Sequence, residues 1–295
     1  MPPAGRALAR RFASCLTRGP HVARRILTGP GGTLTLTAAN AFAQEARSLW
    51  DKGAKGYDAR HIRSRSRWFG PVERRTYRSL LPPAPAGRRL RVVDAGCGTG
   101  TLSAYLAVDA DVVSVDLSAA SLAVLRSRPG ALAPVQADVT RLPLRPESVD
   151  AVVSNVVLPH LPDELVARVL DELHAVLRPG GTLVFSVFNW EAVRRFRSFP
   201  TPRGRFPSGV YYRAYTVDEV RALMAATRFR DVRVLGLGLV YAFCHPRRGL
   251  HRLYHRLGWA TMPLEYLLQR RLGLLSRGGA YLLVAARKAP ASAAT

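Results

Sequence analysis

The chain has 295 residues, of which 48% are hydrophobic and 22% charged, a composition that is typical of a globular protein and excludes wholesale disorder. Its three cysteines, Cys15, Cys97 and Cys244, are far apart, which excludes a disulfide scaffold and any CxxC zinc or redox site. The formal net charge is +24, because 44 lysine and arginine residues face only 20 aspartate and glutamate residues.

The positive charge lies in the two flanks of the chain. Residues 1–89 carry 18 basic and 4 acidic side chains, residues 90–190 carry 7 and 11, and residues 191–295 carry 19 and 5. A basic surface of this kind favours an anionic substrate, a nucleic acid or an anionic membrane, and the alternative is a merely solvated surface.

The N-terminal segment is basic and free of acidic residues. Residues 1–44 contain six arginines and a single serine, Ser14. We expect residues 1–38 to form a basic, disordered extension of a cytoplasmic protein. The alternative is an organellar transit peptide, which has a similar arginine-rich, acid-free composition. No apolar run reaches the length of a membrane-spanning helix.

Periodicity predicts helices over 41–60 and 72–81, followed by a proline-rich linker. From residue 90 onwards, short valine-rich runs alternate with amphipathic ones. Strands are predicted at 90–94, 112–116, 134–137, 151–154 and 182–187, helices near 100–108, 119–127 and 162–177, and a turn at 178–181. Such alternation indicates a doubly wound, mostly parallel α/β sheet.

The pattern changes after residue 187. Residues 189–214 are predicted to form a cap insertion, and Thr216 with Glu219 forms a capping box for a helix over 216–227. Strands at 232–240 and 280–286 are predicted to close the sheet as an antiparallel pair. Two basic amphipathic stretches lie between them, within 247–277, and three roles are open: packing on the core, contact with a membrane, or admission of a lipophilic substrate.

The segment 92–100 carries the clearest chemical signal. An apolar strand ends at Asp94, the glycines Gly96, Gly98 and Gly100 alternate after it, and a helix follows. Glycines let the backbone approach a ligand closely, and the helix presents unpaired N–H groups. Asp116 ends the next strand, where an acid accepts hydrogen bonds from ribose hydroxyls.

The spacing and charge of this segment favour one kind of nucleoside. A dinucleotide site requires G-x-G-x-x-G, but Thr101 occupies the third glycine position, and no P-loop motif is present. The carboxylate of Asp94 would repel a pyrophosphate and suits a cationic ligand. S-adenosylmethionine carries a sulfonium and an ammonium group and no phosphate, so it is favoured over NAD, FAD and ATP.

Residues 90–190 resemble the class I S-adenosylmethionine-dependent methyltransferases of the small-molecule, methyltransferase type 11-like kind. The resemblance implies a Rossmann-like, seven-stranded sheet of order 3-2-1-4-5-7-6 with a helical cap or insertion. It also implies that S-adenosylmethionine is the cofactor. The implied cofactor-binding residues are Asp94, Gly96, Cys97, Gly98, Gly100, Asp116, Leu117, Asp138, Val139 and Asn155.

Within that set, the resemblance places Asp116 on the ribose, Asp138 and the Val139 amide on the adenine, and Asn155 near the methionyl end. Cys97 is expected to be a small packed side chain rather than a nucleophile. His160, just past the fourth strand, is the candidate general base, and its alternative role is to pack or cap the next helix. No metal site is predicted.

The resulting domain organisation has a methyltransferase domain at 39–288 and a disordered tail at 289–295. Its cofactor core spans 90–190, and its cap elements span 39–89, 189–214 and 245–278. The predicted activity is in-line methyl transfer to a small organic acceptor. The alternatives are an RNA methyltransferase that uses the basic flanks, and a cofactor-binding protein without turnover; nucleic acid is not favoured, and peripheral membrane contact is open.

Overall fold

The computed structural model describes residues 27–29, 32–34, 36–61, 67–128, 132–271 and 277–290. The transit-peptide interpretation, most of the predicted extension and most of the predicted tail therefore fall outside the described residues. Strands β1 (Leu27–Gly29) and β2 (Gly32–Leu34) form an antiparallel hairpin in which Gly29 pairs with Gly32.

Two helices precede the main sheet, as predicted. Helix α1 spans Leu36–His61 and α2 spans Arg67–Leu80, so both begin about five residues before the predicted starts. The side chain of Tyr77 anchors α2 because it is fully buried.

The middle of the chain confirms the predicted alternation of strands and helices. Its strands are β3 (Leu90–Ala95), β4 (Ala110–Asp116), β5 (Leu132–Gln136), β6 (Val149–Asn155) and β7 (Leu177–Asn189). Its helices are α3 (Thr101–Leu106), α4 (Ala119–Arg126) and α5 (Asp163–Val176), with a short 3₁₀ turn at Leu158–His160.

The C-terminal part adds smaller elements and closes the sheet. These are α6 (Trp190–Val193), β8 (Arg203–Arg205), β9 (Tyr211–Tyr215), α7 (Val217–Ala225), β10 (Phe229–Leu237), α8 (Leu239–Cys244), α9 (Arg248–Arg271) and β11 (Tyr281–Lys288). The capping box of α7 is confirmed, because the Thr216 hydroxyl accepts from the Glu219 amide and the Glu219 carboxylate accepts from the Thr216 amide.

The main sheet has the order β10-β11-β7-β6-β3-β4-β5. Strands β7, β6, β3, β4 and β5 are parallel, and β11 is antiparallel to both of its neighbours. Numbered along the chain and read from β5, these strands follow the order 3-2-1-4-5-7-6, which confirms the predicted Rossmann-like topology. The carboxyl ends of β3, β4 and β6 meet at one edge of the sheet.

Three local features differ from the predictions. The expected turn at 178–181 lies inside β7 as a bulge, since the pairing shifts from Val149–Leu177 to Ala151–Thr182. The strand expected over 232–240 stops at Leu237, because Gly238 adopts a φ of 77° and starts α8. The two amphipathic stretches within 247–277 share one long helix, α9.

The sheet also extends beyond its seven predicted strands. Strand β7 runs past the last residue of β6, whose Asn155 pairs with Ser186. The backbone of Phe188 and Asn189 lies beyond the end of β6 and pairs in parallel with β9, and β9 pairs in turn with β8. The insertion at 189–214 is therefore partly a continuation of the sheet, because the backbone groups at the end of β7 need partners.

Hydrophobic side chains pack on both faces of the sheet and beyond its carboxyl edge. Alternate residues of β3 point in opposite directions, so Val92 and Val93 belong to different core clusters. A third, aromatic cluster joins the end of β7 to α2, α8 and α9. Across the described helices, none combines the length and apolarity needed to cross a lipid bilayer.

Candidate active site

The glycine turn after β3 is held against the end of β4. The amides of Gly96 and Cys97 both donate to the Val115 carbonyl oxygen, at 2.8 and 2.9 Å. All three glycines of the motif have positive φ, namely 76° at Gly96, 54° at Gly98 and 81° at Gly100. This conformation favours glycine, which explains the spacing of the motif.

The surroundings of these glycines differ. A Cβ added at Gly96 would lie 2.2 Å from Val157 Cγ2, and one at Gly100 would lie 2.6 Å from Leu125 Cδ1. A Cβ added at Gly98 would meet no heavy atom within 4 Å. Gly96 and Gly100 therefore permit close packing of the chain, whereas the backbone at Gly98 borders open space.

Asp116 joins the end of β4 to this turn. Its Oδ2 accepts a hydrogen bond from the Gly98 amide at 2.7 Å, and its Oδ1 accepts one from the Ser118 amide at 2.8 Å. Burial raises the pKa of Asp116, while the two amide hydrogen bonds act in the opposite direction. The two strand ends thus converge, as the predicted nucleoside site requires.

Asp94 is buried at the end of β3 with one carboxylate oxygen lacking a hydrogen-bond partner. Its Oδ2 accepts from the Ser103 hydroxyl at 2.6 Å, and Ser114 donates in turn to Ser103 at 2.9 Å, whereas Oδ1 has no partner. Burial raises the pKa of Asp94 to about 7. An unsatisfied buried carboxylate oxygen fits a site that receives a cationic group.

Asn155 ends β6 inside a small hydrogen-bond network. Its Oδ1 accepts from the Ser186 hydroxyl at 2.8 Å and lies 3.4 Å from the Tyr77 hydroxyl. The following Val156 has a φ of 55°, which is unfavourable for a β-branched residue, and its amide donates to Ser186. This strained turn directs the chain away from the sheet just after the cofactor edge.

The predicted adenine-side residues lie beyond β4 and β5. The Ala137 amide donates to the Asp116 carbonyl oxygen at 3.1 Å, which brings the turn after β5 beside Asp116. The Asp138 carboxylate accepts from the Thr140 amide, the Val139 side chain is buried in the core, and the Leu117 carbonyl oxygen accepts from Gln136. Their roles in cofactor binding remain predictions.

Cys97 packs as expected of a small side chain. Its thiol donates to the Gly98 carbonyl oxygen at a sulfur–oxygen distance of 3.6 Å and borders the core cluster under α3. Burial raises the pKa of this thiol well above its ordinary value, so the thiolate needed by a nucleophile is disfavoured.

Helix α1 supplies two carboxylates that sequence reasoning missed. Asp51 accepts from the Ser118 hydroxyl at 2.6 Å and from the Ala120 amide at 3.1 Å, at the start of α4. Asp58 accepts from the Thr99 hydroxyl at 2.5 Å and pairs with Arg128. The signal was the seven-residue spacing of the two acids, which is about two turns and places them on one helix face.

The same helix faces the predicted base. The ring centroid of Trp50 lies 5.1 Å from that of His160, and Phe188 and Phe206 lie 5.7 and 6.3 Å away. His160 Nδ1 lies 2.8 Å from the Tyr211 carbonyl oxygen. Because a carbonyl oxygen only accepts, Nδ1 carries the hydrogen, and Nε2 of the neutral ring carries the lone pair.

A small, partly open cavity of about 10 Å³, room for about one water molecule, lies beside His160. Helix α1 contributes Phe42 and Leu49 to its wall, and β9 contributes Tyr211. The ion pair between Glu45 and Arg205 also lines it, with nitrogen–oxygen distances of 2.7 and 3.2 Å. The apolar walls and the charged pair have the chemistry of a small-molecule site, but the cavity has only a small fraction of the usual volume.

Comparisons with known proteins agree with this picture. Residues 93–185 match the methyltransferase domain family. Over 127 residues the chain is 35% identical to a malonyl-[acyl-carrier protein] O-methyltransferase of Enterobacter lignolyticus, covering 43% of this chain and 50% of that protein. It is also 35% identical over 162 residues to a probable S-adenosylmethionine-dependent methyltransferase of Mycobacterium tuberculosis, covering 55% of each. The chain spans about half the length of the curated relatives it matches.

Solved structures share the fold. An S-adenosylmethionine-dependent methyltransferase of Thermotoga maritima, described as a possible histamine N-methyltransferase, aligns with a TM-score of 0.57 at 18% identity, over 82% of this chain and 99% of that one. The 1,6-didemethyltoxoflavin-N1-methyltransferase of Burkholderia thailandensis, solved with bound 1,6-didemethyltoxoflavin and S-adenosylhomocysteine, aligns with a TM-score of 0.54 at 21% identity, over 92% of this chain and 99% of that one. Motif order, sheet topology and these similarities show that residues 93–185 carry a methyltransferase domain and that the chain has the Rossmann-like fold of class I S-adenosylmethionine-dependent methyltransferases.

Proposed function

We propose that this chain transfers a methyl group from S-adenosylmethionine to a small organic acceptor bound between α1 and β9. The observation that carries the proposal is the contact between Asp116 and the Gly98 amide, at 2.7 Å, where two neighbouring strands end beside open space. A nucleoside that lies across this turn brings its sugar to the carboxylate.

The charges of the site suit this donor. The buried Oδ1 of Asp94 has no hydrogen-bond partner, so its carboxylate favours a cationic group, and the charge of Arg128, which bonds the Thr99 carbonyl oxygen in the turn, is paired with Asp58. When bound, S-adenosylmethionine supplies a methyl group already activated on a sulfonium. The protein therefore acts mainly by positioning the acceptor and excluding water, which supplies about 7–11 kcal/mol in well-oriented reactions.

The acceptor side offers a base. His160 is oriented by the Tyr211 carbonyl oxygen, and Nε2 of its neutral ring can take a proton from an acceptor hydroxyl. Helix α1 links the two halves of the site, because Asp51 binds the start of α4 while the adjacent Trp50 packs against His160. Relatives named as O-methyltransferases support an oxygen acceptor.

A turnover screen tests the proposal. The protein is incubated with S-adenosylmethionine and small hydroxylated, carboxylated or amino acceptors, and release of S-adenosylhomocysteine is measured. We expect turnover with a small acceptor and binding of S-adenosylhomocysteine by calorimetry. Binding without turnover would favour a non-catalytic role, and turnover with RNA alone would favour the nucleic-acid alternative.

A matched pair of variants locates the acceptor. Phe42 lines the pocket and lies edge-on to Tyr211, at 6.4 Å between centroids, whereas Phe243 is 55% exposed on α8. We expect Phe42→Ala to raise the KM for the acceptor and Phe243→Ala to leave it unchanged. Both variants should bind S-adenosylhomocysteine like the unaltered protein. Equal KM values in the two variants would move the acceptor elsewhere.

A further inference from the structure

Helix α9 leaves a stripe of leucines in solvent. One face of the helix buries Tyr254, Gly258 and Glu265 against the rest of the molecule. Four leucines on another face are about half exposed, at 49, 49, 49 and 52%: Leu253, Leu257, Leu264 and Leu267. At 100° per residue they fall within an arc of about 80°, so they form one continuous apolar stripe.

Cations border this stripe. Arg252 and Arg256 are exposed beside it, and Trp259, which is 60% exposed, lies next to Arg252 around the helix, farther from the stripe. From α2, the guanidinium of Arg75 lies over the Tyr266 ring, 4.6 Å from its centroid. The exposed surface of α9 therefore combines leucine, tryptophan and arginine side chains.

Acidic side chains are scarce in this segment. Residues 245–278 contain seven arginines and one acid, Glu265. Glu265 is buried, and its carboxylate accepts from the amides of Leu239 and Val240 at the start of α8, at 2.7 and 2.9 Å. Its charge serves α8 and does not offset the arginines at the surface.

We propose that α9 docks on the surface of a membrane that contains anionic lipids. The leucines would enter the boundary between headgroups and acyl chains, Trp259 would lie at the interface, and the arginines would bind lipid phosphates. A second copy of the chain would bring arginine against arginine across the same face. A nucleic acid would pair with the arginines but leave the leucine stripe in water.

Vesicle co-sedimentation tests this docking with the full-length chain. We expect the protein to pellet with vesicles of phosphatidylcholine and phosphatidylglycerol, to pellet less at high salt, and to stay in solution with phosphatidylcholine alone. The double variant Arg252→Glu/Arg256→Glu should lower vesicle affinity at least about 25-fold, at about fivefold for each charge lost. Tryptophan fluorescence should shift to shorter wavelength on binding. The part of this shift that is lost in Trp259→Phe is the contribution of Trp259.

The leucine stripe has its own test and control. Leu257→Gln/Leu264→Gln should lower vesicle affinity about tenfold, since less apolar area is buried. Val108→Gln, at a site 78% exposed after α3, should leave it unchanged. Circular dichroism shows that each variant is folded.

Three results would overturn the proposal. One is equal binding to neutral and anionic vesicles. Another is full vesicle affinity in the leucine variant, because the contact would then depend on charge alone. If the leucine variant also retains RNA binding and the charge-reversed variant loses it, the surface binds nucleic acid instead. The last is a protein that does not bind vesicles but forms a dimer in ultracentrifugation, with the dimer lost in the leucine variant.

Discussion

The two halves of the site are built from different kinds of contact. On the cofactor side, the glycine turn is built from short-range contacts, since Asp116 binds the Gly98 amide and Asp94 binds Ser103 over separations of 18 and 9 residues. Helix α1 adds Asp51 and Asp58 from 67 and 41 residues away. On the acceptor side, the pair Glu45–Arg205 joins residues 160 positions apart.

This difference indicates which contacts of the site tolerate changes in sequence and which do not. Backbone amides at the glycine turn do not depend on side-chain identity, so contacts of this kind persist when the surrounding side chains change. The proposed acceptor site depends on side chains from α1, the 3₁₀ turn and β9, so we expect a few substitutions there to change which acceptor fits. Function varies at such sites while the fold persists.

The largest expected effect lies on the acceptor side. His160→Gln should lower kcat about 10²- to 10⁴-fold for a hydroxyl acceptor, because it removes the proposed base. Affinity for S-adenosylhomocysteine, measured by calorimetry, should not change. If affinity falls with the rate, His160 supports the cofactor side instead, and the division between the two halves fails.

Next in size is Gly96→Ala, compared with Gly87→Ala. Both glycines have nearly equal φ values, 76° and 75°, but only at Gly96 would a Cβ meet Val157, at 2.2 Å. We expect Gly96→Ala to unfold at a lower urea concentration than Gly87→Ala. Its free energy of unfolding should fall by about 1–3 kcal/mol more than that of Gly87→Ala. Equal losses would show that the turn is not constrained by close packing.

Asp116→Ala should weaken binding of S-adenosylhomocysteine by about 1.5–3 kcal/mol, the usual value for hydrogen bonds to a charged group. Asp109→Ala is the control, since Asp109 pairs with Arg78 on the exposed surface. Calorimetry measures both affinities, and urea denaturation checks the fold. Unchanged affinity in Asp116→Ala would place the ribose elsewhere.

Asp94→Asn tests the buried carboxylate through pH. Burial raises the pKa of folded Asp94 to about 7, whereas an unfolded aspartate titrates near pH 4. The folded state holds more protons between these values, so the contribution of Asp94 to stability is full below about pH 4 and is lost as pH rises through about 7. The free energy of unfolding of the unaltered protein should therefore fall relative to that of Asp94→Asn across this window.

The same variant should change the pH dependence of binding. The ammonium group that S-adenosylhomocysteine retains prefers ionised Asp94, so affinity for this ligand should rise with pH towards 8 in the unaltered protein and stay flatter in Asp94→Asn. Burial lowers the pKa of His174 to about 4, an effect of opposite sign on stability, but both proteins retain it. Parallel pH profiles in the two proteins would remove Asp94 from the site.

The smallest expected effect is that of Arg205→Ala. Its ion pair with Glu45 is about half exposed, so less than about 1 kcal/mol of stability should be lost. The KM for the acceptor should change by less than about fivefold, with cofactor affinity unaffected. Arg221→Ala, in an exposed pair with Asp218, serves as the control. A change in the affinity of Arg205→Ala for S-adenosylhomocysteine would show that the two halves of the site are coupled more strongly than their contacts indicate.

Much of the architecture could be predicted from the sequence because its causes are local. The glycine spacing, the acid at the end of β4 and the capping box at Thr216 each depend on a few neighbouring residues. Strand–helix alternation then indicates a doubly wound, mostly parallel sheet, and the resemblance to class I methyltransferases supplies the strand order.

Tertiary structure decided the rest. The pairing of β9 with the end of β7, the union of two amphipathic stretches in α9 and the placement of Asp51 and Asp58 over the turn required the folded chain. Each depends on groups far apart in sequence, and the entropy of closing such loops is offset only when many contacts form together. Local periodicity determines which elements form, whereas long-range packing decides which side chains share a pocket.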